Sequence, residues 1–261
     1  MTDRPARRTG IRRRFSGLLV IALALIAIGG FYALATPGRG GATAAAAPDD
    51  AAQGQKIYNQ SCISCHGRNL QGVSQRGPSL IGVGGAAVDF QVSTGRMPAV
   101  RQEAQIPRRK PKFNEAESRQ LAAYVQATGG GPDIPSGKLG DGNLAQGGRL
   151  FRLNCASCHN FVGRGGALSS GKYAPPLNLA KPKEIYEAML SGPQSMPVFG
   201  DNQITPQEKN QIISYVESLK TQRDPGGFSL GRVGPVPEGM VIWLFGIGAV
   251  LIATLWIGVK A

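Results

Sequence analysis

Apolar residues concentrate at the two ends of the chain, with a more polar middle between them. Met240 to Val259 is twenty residues without a charge, flanked by Glu238 and Lys260. That length crosses a bilayer core of about 30 Å. The stretch is apolar all round, as a spanning helix is, whereas a helix on a soluble core keeps a polar face. Trp243 and Trp256 lie near its ends, where interfacial anchors belong. Gly246, Ala249 and Ala253 form a small-residue stripe on which another helix can pack. At the other end, Leu18 to Ile28 is unbroken Leu, Val, Ile and Ala, followed by Gly29, Gly30 and Phe31 to Ala35. Arg7, Arg8, Arg12, Arg13 and Arg14 precede it, so the segment directs export with its basic end held in the cytoplasm. Two readings stay open. Ala33-Leu34-Ala35 has the small-x-small pattern of a signal-peptidase site, and Gly17 to Ala35 is long enough to remain as an anchor. Two spans are favoured, one if the signal is cleaved. The residues between about 40 and 235 then lie on the extracytoplasmic side of the cell membrane, and the C-terminal residue is cytoplasmic.

The polar middle contains its own pattern twice. Ala52-Gln53-Gly54 recurs as Ala145-Gln146-Gly147, and Tyr58 corresponds to Phe151. Cys62-Ile63-Ser64-Cys65-His66 recurs as Cys155-Ala156-Ser157-Cys158-His159. Pro78-Ser79-Leu80 matches Pro175-Pro176-Leu177, and Met97-Pro98 matches Met196-Pro197. Each repeat reads as mostly helical. Asp49 or Asp50, and Asn143, are positioned to cap a first helix that runs to the Cys motif. Asn114-x-x-Glu117 and Thr205-x-x-Glu208 are capping boxes that open a last helix. On those helices Leu121, Tyr124 and Val125, like Ile212, Tyr215 and Val216, share one apolar face. A further helix is expected over Lys183 to Leu190, without a counterpart in the first repeat, and Met189 on it reads as core. Between these elements the chain is loop-like, rich in Gly and Pro and without strand alternation. Gly54 and Gly147 let the first helix approach the last near Tyr124 and Tyr215.

The expected organisation is a basic N-terminus with export signal or anchor over 1–47, one domain over 48–130, a second over 131–225, and a linker with the final helix over 226–261. Each repeat holds few large aliphatic residues, and a domain this small struggles to stabilise itself by its own core. Something else should fill its centre.

Charge changes little in this picture. The net charge is +13, but seven Arg and a single Asp fall in residues 1–47, so the body is only mildly basic. With aromatics at 7% there is little for stacking, and nucleic acid is excluded as a partner.

The chemistry lies in six residues. The chain has four Cys and two His, and all of them are spent on two copies of C-x-x-C-H. This is the attachment signature of c-type haem. Two Cys three apart reach the two vinyl positions on one porphyrin edge, and the adjoining His turns beneath the ring to the iron. A thioredoxin-like motif would need a βαβ context and leaves the His without purpose. A zinc site needs four ligands, and each repeat offers a cramped three. Disulfides would leave both His unexplained. Cys62, Cys65, Cys155 and Cys158 are therefore the expected covalent attachment points of two haem c groups, with His66 and His159 as axial ligands. Since His is exhausted, Met97 and Met196 are the expected sixth ligands, and a His/Met pair raises the iron potential. Backbone carbonyls at Pro78 and Pro175 are placed to accept the Nδ1–H of the axial His. The repeats also differ: sixteen residues separate Met97 from Asn114, but eight separate Met196 from Thr205. The longer segment carries Arg101, Arg108, Arg109, Lys110 and Lys112, and Arg108, Arg109 and Lys110 are candidates for docking an acidic partner.

In helix, C-x-x-C-H, P-x-L, M-P and closing helix, each repeat resembles a class I cytochrome c domain. The fold class expected is therefore mostly α, with tandem duplicated cytochrome c domains and a C-terminal transmembrane helix. With its two ends, the whole resembles the dihaem cytochrome c subunit of actinobacterial cytochrome bcc complexes. That resemblance implies an electron-transfer subunit of a quinol–cytochrome c reductase, with no substrate chemistry on this chain alone. Its implied partners are cytochrome b, a Rieske iron–sulfur protein that donates electrons, and an aa3-type oxidase whose copper A centre receives them. The alternatives are a subunit of a cbb3-type oxidase, whose c-type subunit usually has its anchor at the N-terminus only, and a haem enzyme such as a dihaem peroxidase, which would need an open iron.

Overall fold

The computed structural model describes residues 10–35, 48–101, 103–222, 230–232 and 235–260, with side chains of 10–16, 31–35, 48, 231 and 235 left undescribed. Arg7, Arg8 and most of the two outer linkers lie outside the described residues. Helix α1 (Gly10–Ala35) runs through the N-terminal apolar segment and belongs to a unit of its own. Its apolar stretch with described side chains, Gly17–Gly30, is shorter than the roughly 20 residues that cross a bilayer.

The first repeat comprises α2 (Pro48–Ser61), α3 (Ile63–His66), α4 (Gly84–Ser93) and α5 (Glu115–Gly129). In the second repeat are α6 (Leu144–Asn154), α7 (Ala156–His159), β1 (Gly166–Ala167), β2 (Tyr173–Ala174), α8 (Pro182–Ser191) and α9 (Pro206–Thr221). The chain then forms α10 (Pro235–Lys260). Among the described residues α10 is the one helix long and apolar enough to cross a membrane, with a mean hydropathy of 2.4.

Both repeats are built by one plan. The first helix crosses the last (α2 on α5, α6 on α9), and the middle helix packs on the last. The crossings are close because Gly54 and Gly147 remove a Cβ that would run into the Gln120 and Gln211 carbonyl oxygens. Beside each glycine lies a tilted aromatic pair, Tyr58–Tyr124 at 5.2 Å and Phe151–Tyr215 at 5.4 Å. Tyr58 and Phe151 are fully buried, and burying a side chain of this kind stabilises the fold by about 1.5–3 kcal/mol. Each repeat keeps a separate apolar cluster, one centred on Tyr58, Leu121 and Val125, the other on Phe151, Ile212 and Val216. The expected apolar faces are these clusters, with Tyr215 half-buried at the edge of the second.

Both capping boxes form. Asn114 Oδ1 accepts from the Glu117 N–H at 2.9 Å, Thr205 Oγ1 accepts from the Glu208 N–H at 3.3 Å, and each Glu reaches back to its cap's N–H at 2.8 Å. Asn143 caps α6 through the Gln146 N–H. Asp49 and Asp50 do not cap α2; that helix begins at Pro48 and places both in its first turn, where their charge favours the helix dipole.

Two further expectations need correction. Helix α8 does have a counterpart in the first repeat, and it is α4. It escaped the periodicity argument because Gly84 to Phe90 and Val92 are buried on every side, leaving no polar face to alternate with. The two counterparts pack against each other, so together they make the junction between the domains. The loop after each His also carries a little strand pairing, β1 with β2 in the second repeat and a single bridge, Val73 with Gly77, in the first.

Candidate haem sites

The first site grows from the end of α2. Its chain turns at Cys62, which precedes the single turn of α3 bearing Cys65 and His66. The Tyr58 hydroxyl donates to the Gly67 carbonyl at 2.7 Å and pins that turn. His66 Nδ1 lies 2.8 Å from the Pro78 carbonyl oxygen. A carbonyl only accepts, so Nδ1 carries a proton and Nε2 is the nitrogen left to face an iron. Cys62, Cys65, His66, Pro78, Met97 and Phe113 line one cavity of about 700 Å³. That volume falls within the roughly 300–1,000 Å³ of cofactor pockets. Met97, half-buried, also packs against the Tyr58 cluster, which fixes its loop.

The second site repeats the first. Cys155 precedes the turn of α7 with Cys158 and His159, and His159 Nδ1 lies 2.9 Å from the Pro175 carbonyl oxygen. Burial lowers the His159 pKa, opposed by the hydrogen bond to Pro175, so the ring is held neutral. Met196 packs against the Phe151 cluster. Met189, the other methionine of this domain, is buried in that cluster as core.

All four cysteines are free. Burial pushes the Cys62 thiol up to about 11 and the Cys155 thiol to about 12, so both are protonated at neutral pH. Neutral imidazole, thioether sulfur and paired thiols form a soft donor set that suits an iron porphyrin. No group of three or more His, Cys, Asp or Glu is arranged to hold a bare metal ion among the described residues.

Part of the basic segment of the first repeat is engaged within the chain. Arg108 makes a two-pronged ion pair with Glu184 of α8, at 2.6 and 2.8 Å. Arg109 lies 3.8 Å from Glu103, and Lys110 is exposed.

Sequence reasoning missed a polar cluster at the α4–α8 junction. Asp89 and Glu187 are both fully buried, and Lys183 Nζ lies 2.6 Å from Asp89 Oδ2. The signal was present: Asp89 stands four residues before Ser93, as Glu187 does before Ser191, so both repeats carry an acid at the same place in an apolar helix. Buried Lys209 of α9 was also missed; its ammonium is held by Asp201 and the Ile204 carbonyl, each at 2.7 Å.

Comparison with known proteins agrees with this duplicated plan. The family model described as "Cytochrome C oxidase, cbb3-type, subunit III" matches residues 49–125 and again 142–216. The cytochrome bc1 complex cytochrome c subunit of Mycobacterium tuberculosis is 51% identical over 267 residues, covering 97% of this chain and 94% of that one. Its counterpart in Corynebacterium diphtheriae is 49% identical over 274 residues, covering 97% of both. The cbb3-type cytochrome c oxidase subunit FixP of Sinorhizobium medicae is 33% identical over 92 residues, only 29% of this chain, so that likeness is of domain size. With two tandem cytochrome c domains and full-length relatives of one kind, the chain belongs to the family of cytochrome bc1 complex cytochrome c subunits.

Proposed function

We propose that this chain is a membrane-anchored dihaem cytochrome c that carries electrons from a Rieske iron–sulfur protein of a quinol-oxidising complex to the copper A centre of an aa3-type terminal oxidase. Cytochrome b is the further partner in the membrane. When bound, haem supplies a one-electron iron couple. The chain's own residues do the rest. Cys62 and Cys65 hold one group through thioether bonds, and Cys155 and Cys158 hold the other. His66 and Met97 ligate the first iron, and His159 and Met196 the second, so neither site is left open to a substrate. The carbonyls of Pro78 and Pro175 fix the tautomer and orientation of each imidazole. Helix α10 anchors the domains on the extracytoplasmic side, with the C-terminal residue cytoplasmic, and α1 is the second anchor where it is retained. Anchoring keeps both domains at high effective concentration near their partners.

The observation that carries this reading is the repeated hydrogen bond from an axial-type His to a prolyl carbonyl beside a Cys-x-x-Cys turn, with Met97 facing the same cavity as His66. A mild-detergent pull-down of the tagged protein from its native membranes tests it, read by the dithionite-reduced difference spectrum. Bands of haems a, b and c together are the expected result. Bands of haems b and c without haem a, after controls for dissociation, would remove the oxidase from the proposal, and a c-type band alone would leave a free-standing dihaem cytochrome.

A further inference from the structure

We propose that the longer segment of the first repeat, between Met97 and Asn114, is a strap that fixes the two cytochrome domains against each other and links their methionine loops. This rests on the reading of Met97 and Met196 as ligands. The segment is grafted onto the first domain and grips the second at three places. The Gln105 amide pairs with the backbone of Tyr173 on β2, donating to its carbonyl at 2.6 Å and accepting from its N–H at 2.9 Å. Arg108 closes its fork on both oxygens of Glu184, which is only 4% exposed. The Ile106 carbonyl accepts from Gln194 Nε2 at 2.7 Å, and Gln194 stands two residues before Met196.

The other side of the strap holds the first domain. The Arg109 N–H donates to the Thr94 carbonyl at 3.2 Å, and the Arg109 carbonyl occupies the space a Cβ would need at Gly95, whose φ is +68°. Thr94 and Gly95 lead directly into Met97. Ile106 meanwhile lines the cavity shared by His66 and Met97. One short segment thus walls the first site, braces the loop before Met97 and holds the loop before Met196.

The magnitudes favour a tie over a surface decoration. Exposed ion pairs contribute little. A forked Arg–carboxylate pair is stronger and directional, and its carboxylate here is buried. Burial raises the Glu184 pKa, yet Arg108 and the Lys181 N–H outweigh it and hold the carboxyl below its usual range. Two domains joined by a linker move relative to each other unless their interface is held. The strap supplies that restraint beside the α4–α8 contact, and Gln105, Arg108 and Gln194 are positioning residues for electron passage between the domains.

The test uses the full-length holoprotein with gadolinium(III)-chelate spin labels, which dithionite does not reduce, at Ala116→Cys and Gln207→Cys, equivalent exposed positions on α5 and α9. Pulsed dipolar EPR on the dithionite-reduced protein reads the interdomain distance. The parent should give one narrow population. Gln105→Ala with Arg108→Ala and Gln194→Ala should broaden it, leave the c-type absorbance unchanged, and slow electron delivery to the oxidase several-fold. A second arm pairs Arg108→Glu with Glu184→Arg: the swapped pair should recover the narrow population that Arg108→Glu alone loses. A distribution as narrow in the triple variant as in the parent would overturn the strap, as would a swapped pair no narrower than Arg108→Glu. Loss of the c-type band in the parent would instead strike the haem reading and leave the distance result standing.

Discussion

His66 and His159 each spend one ring nitrogen on a backbone carbonyl, at 2.8 and 2.9 Å. Because the acceptor is backbone, Pro78→Ala keeps it and gives up only a restriction on φ, so stability should fall by less than about 1 kcal/mol. Met97→Leu should behave differently. On the proposed ligation it leaves the thioether bonds intact but removes the sulfur ligand, so one of the two irons should turn high-spin and its potential should fall. EPR and a potentiometric titration check this, and two unchanged irons would remove Met97 from the ligand set. Gly54→Ala and Gly147→Ala place a methyl against a carbonyl oxygen of the crossing helix. Each should cost about 1–3 kcal/mol in a denaturant titration of the holoprotein, with similar losses in the two domains. The two Cys-x-x-Cys-His turns and the prolyl carbonyls beside their His could be placed from the chain, because a recurring motif limits residue identity. Lys209, Asp89 and Glu187 were not read from the chain, because burial of a polar side chain is set by its surroundings, although the acid shared by the two repeats pointed to the junction.

At the scale of elements, the capping boxes show how local chemistry sets boundaries. Asn114→Ala or Thr205→Ala should each cost about 0.5–2 kcal/mol, read as a lower thermal midpoint. The α4–α8 junction carries a pH dependence. Glu187 has no hydrogen-bond donor among the described residues. Burial raises its carboxyl, and the nearby Asp89 raises it further, to about 10; Lys183 acts in the opposite sense and Glu184 in the same. The carboxyl is therefore protonated and can itself donate to Asp89. An acid whose folded pKa lies above its unfolded value of 4.5 stabilises the fold less as pH rises between the two. Stability should decline from mildly acidic toward alkaline pH, and Glu187→Gln should flatten that decline in thermal melts; an equally steep variant would refute it. The last helices were legible from caps and a one-sided apolar face. Helix α4 was not, since burial on all sides erases the amphipathic period that announces a helix.

The whole molecule is a duplication with an anchor. The repeat, its ordered motifs and the apolar α10 could all be read from the chain, because each recurs or extends far enough to stand out. What joins the domains could not, because α4, α8 and the segment from Gln105 to Arg109 meet only through the fold. That segment shows its basic residues in one dimension and its contacts with the second domain only in three. The most direct test of the central claim is the denatured intact mass of the full chain purified from its native membranes. The account predicts an increment of two haems that survives denaturation, one of them lost on replacing Cys62 and Cys65 together with Ala and the other on replacing Cys155 and Cys158. A mass carrying a single haem, or none, would contradict it.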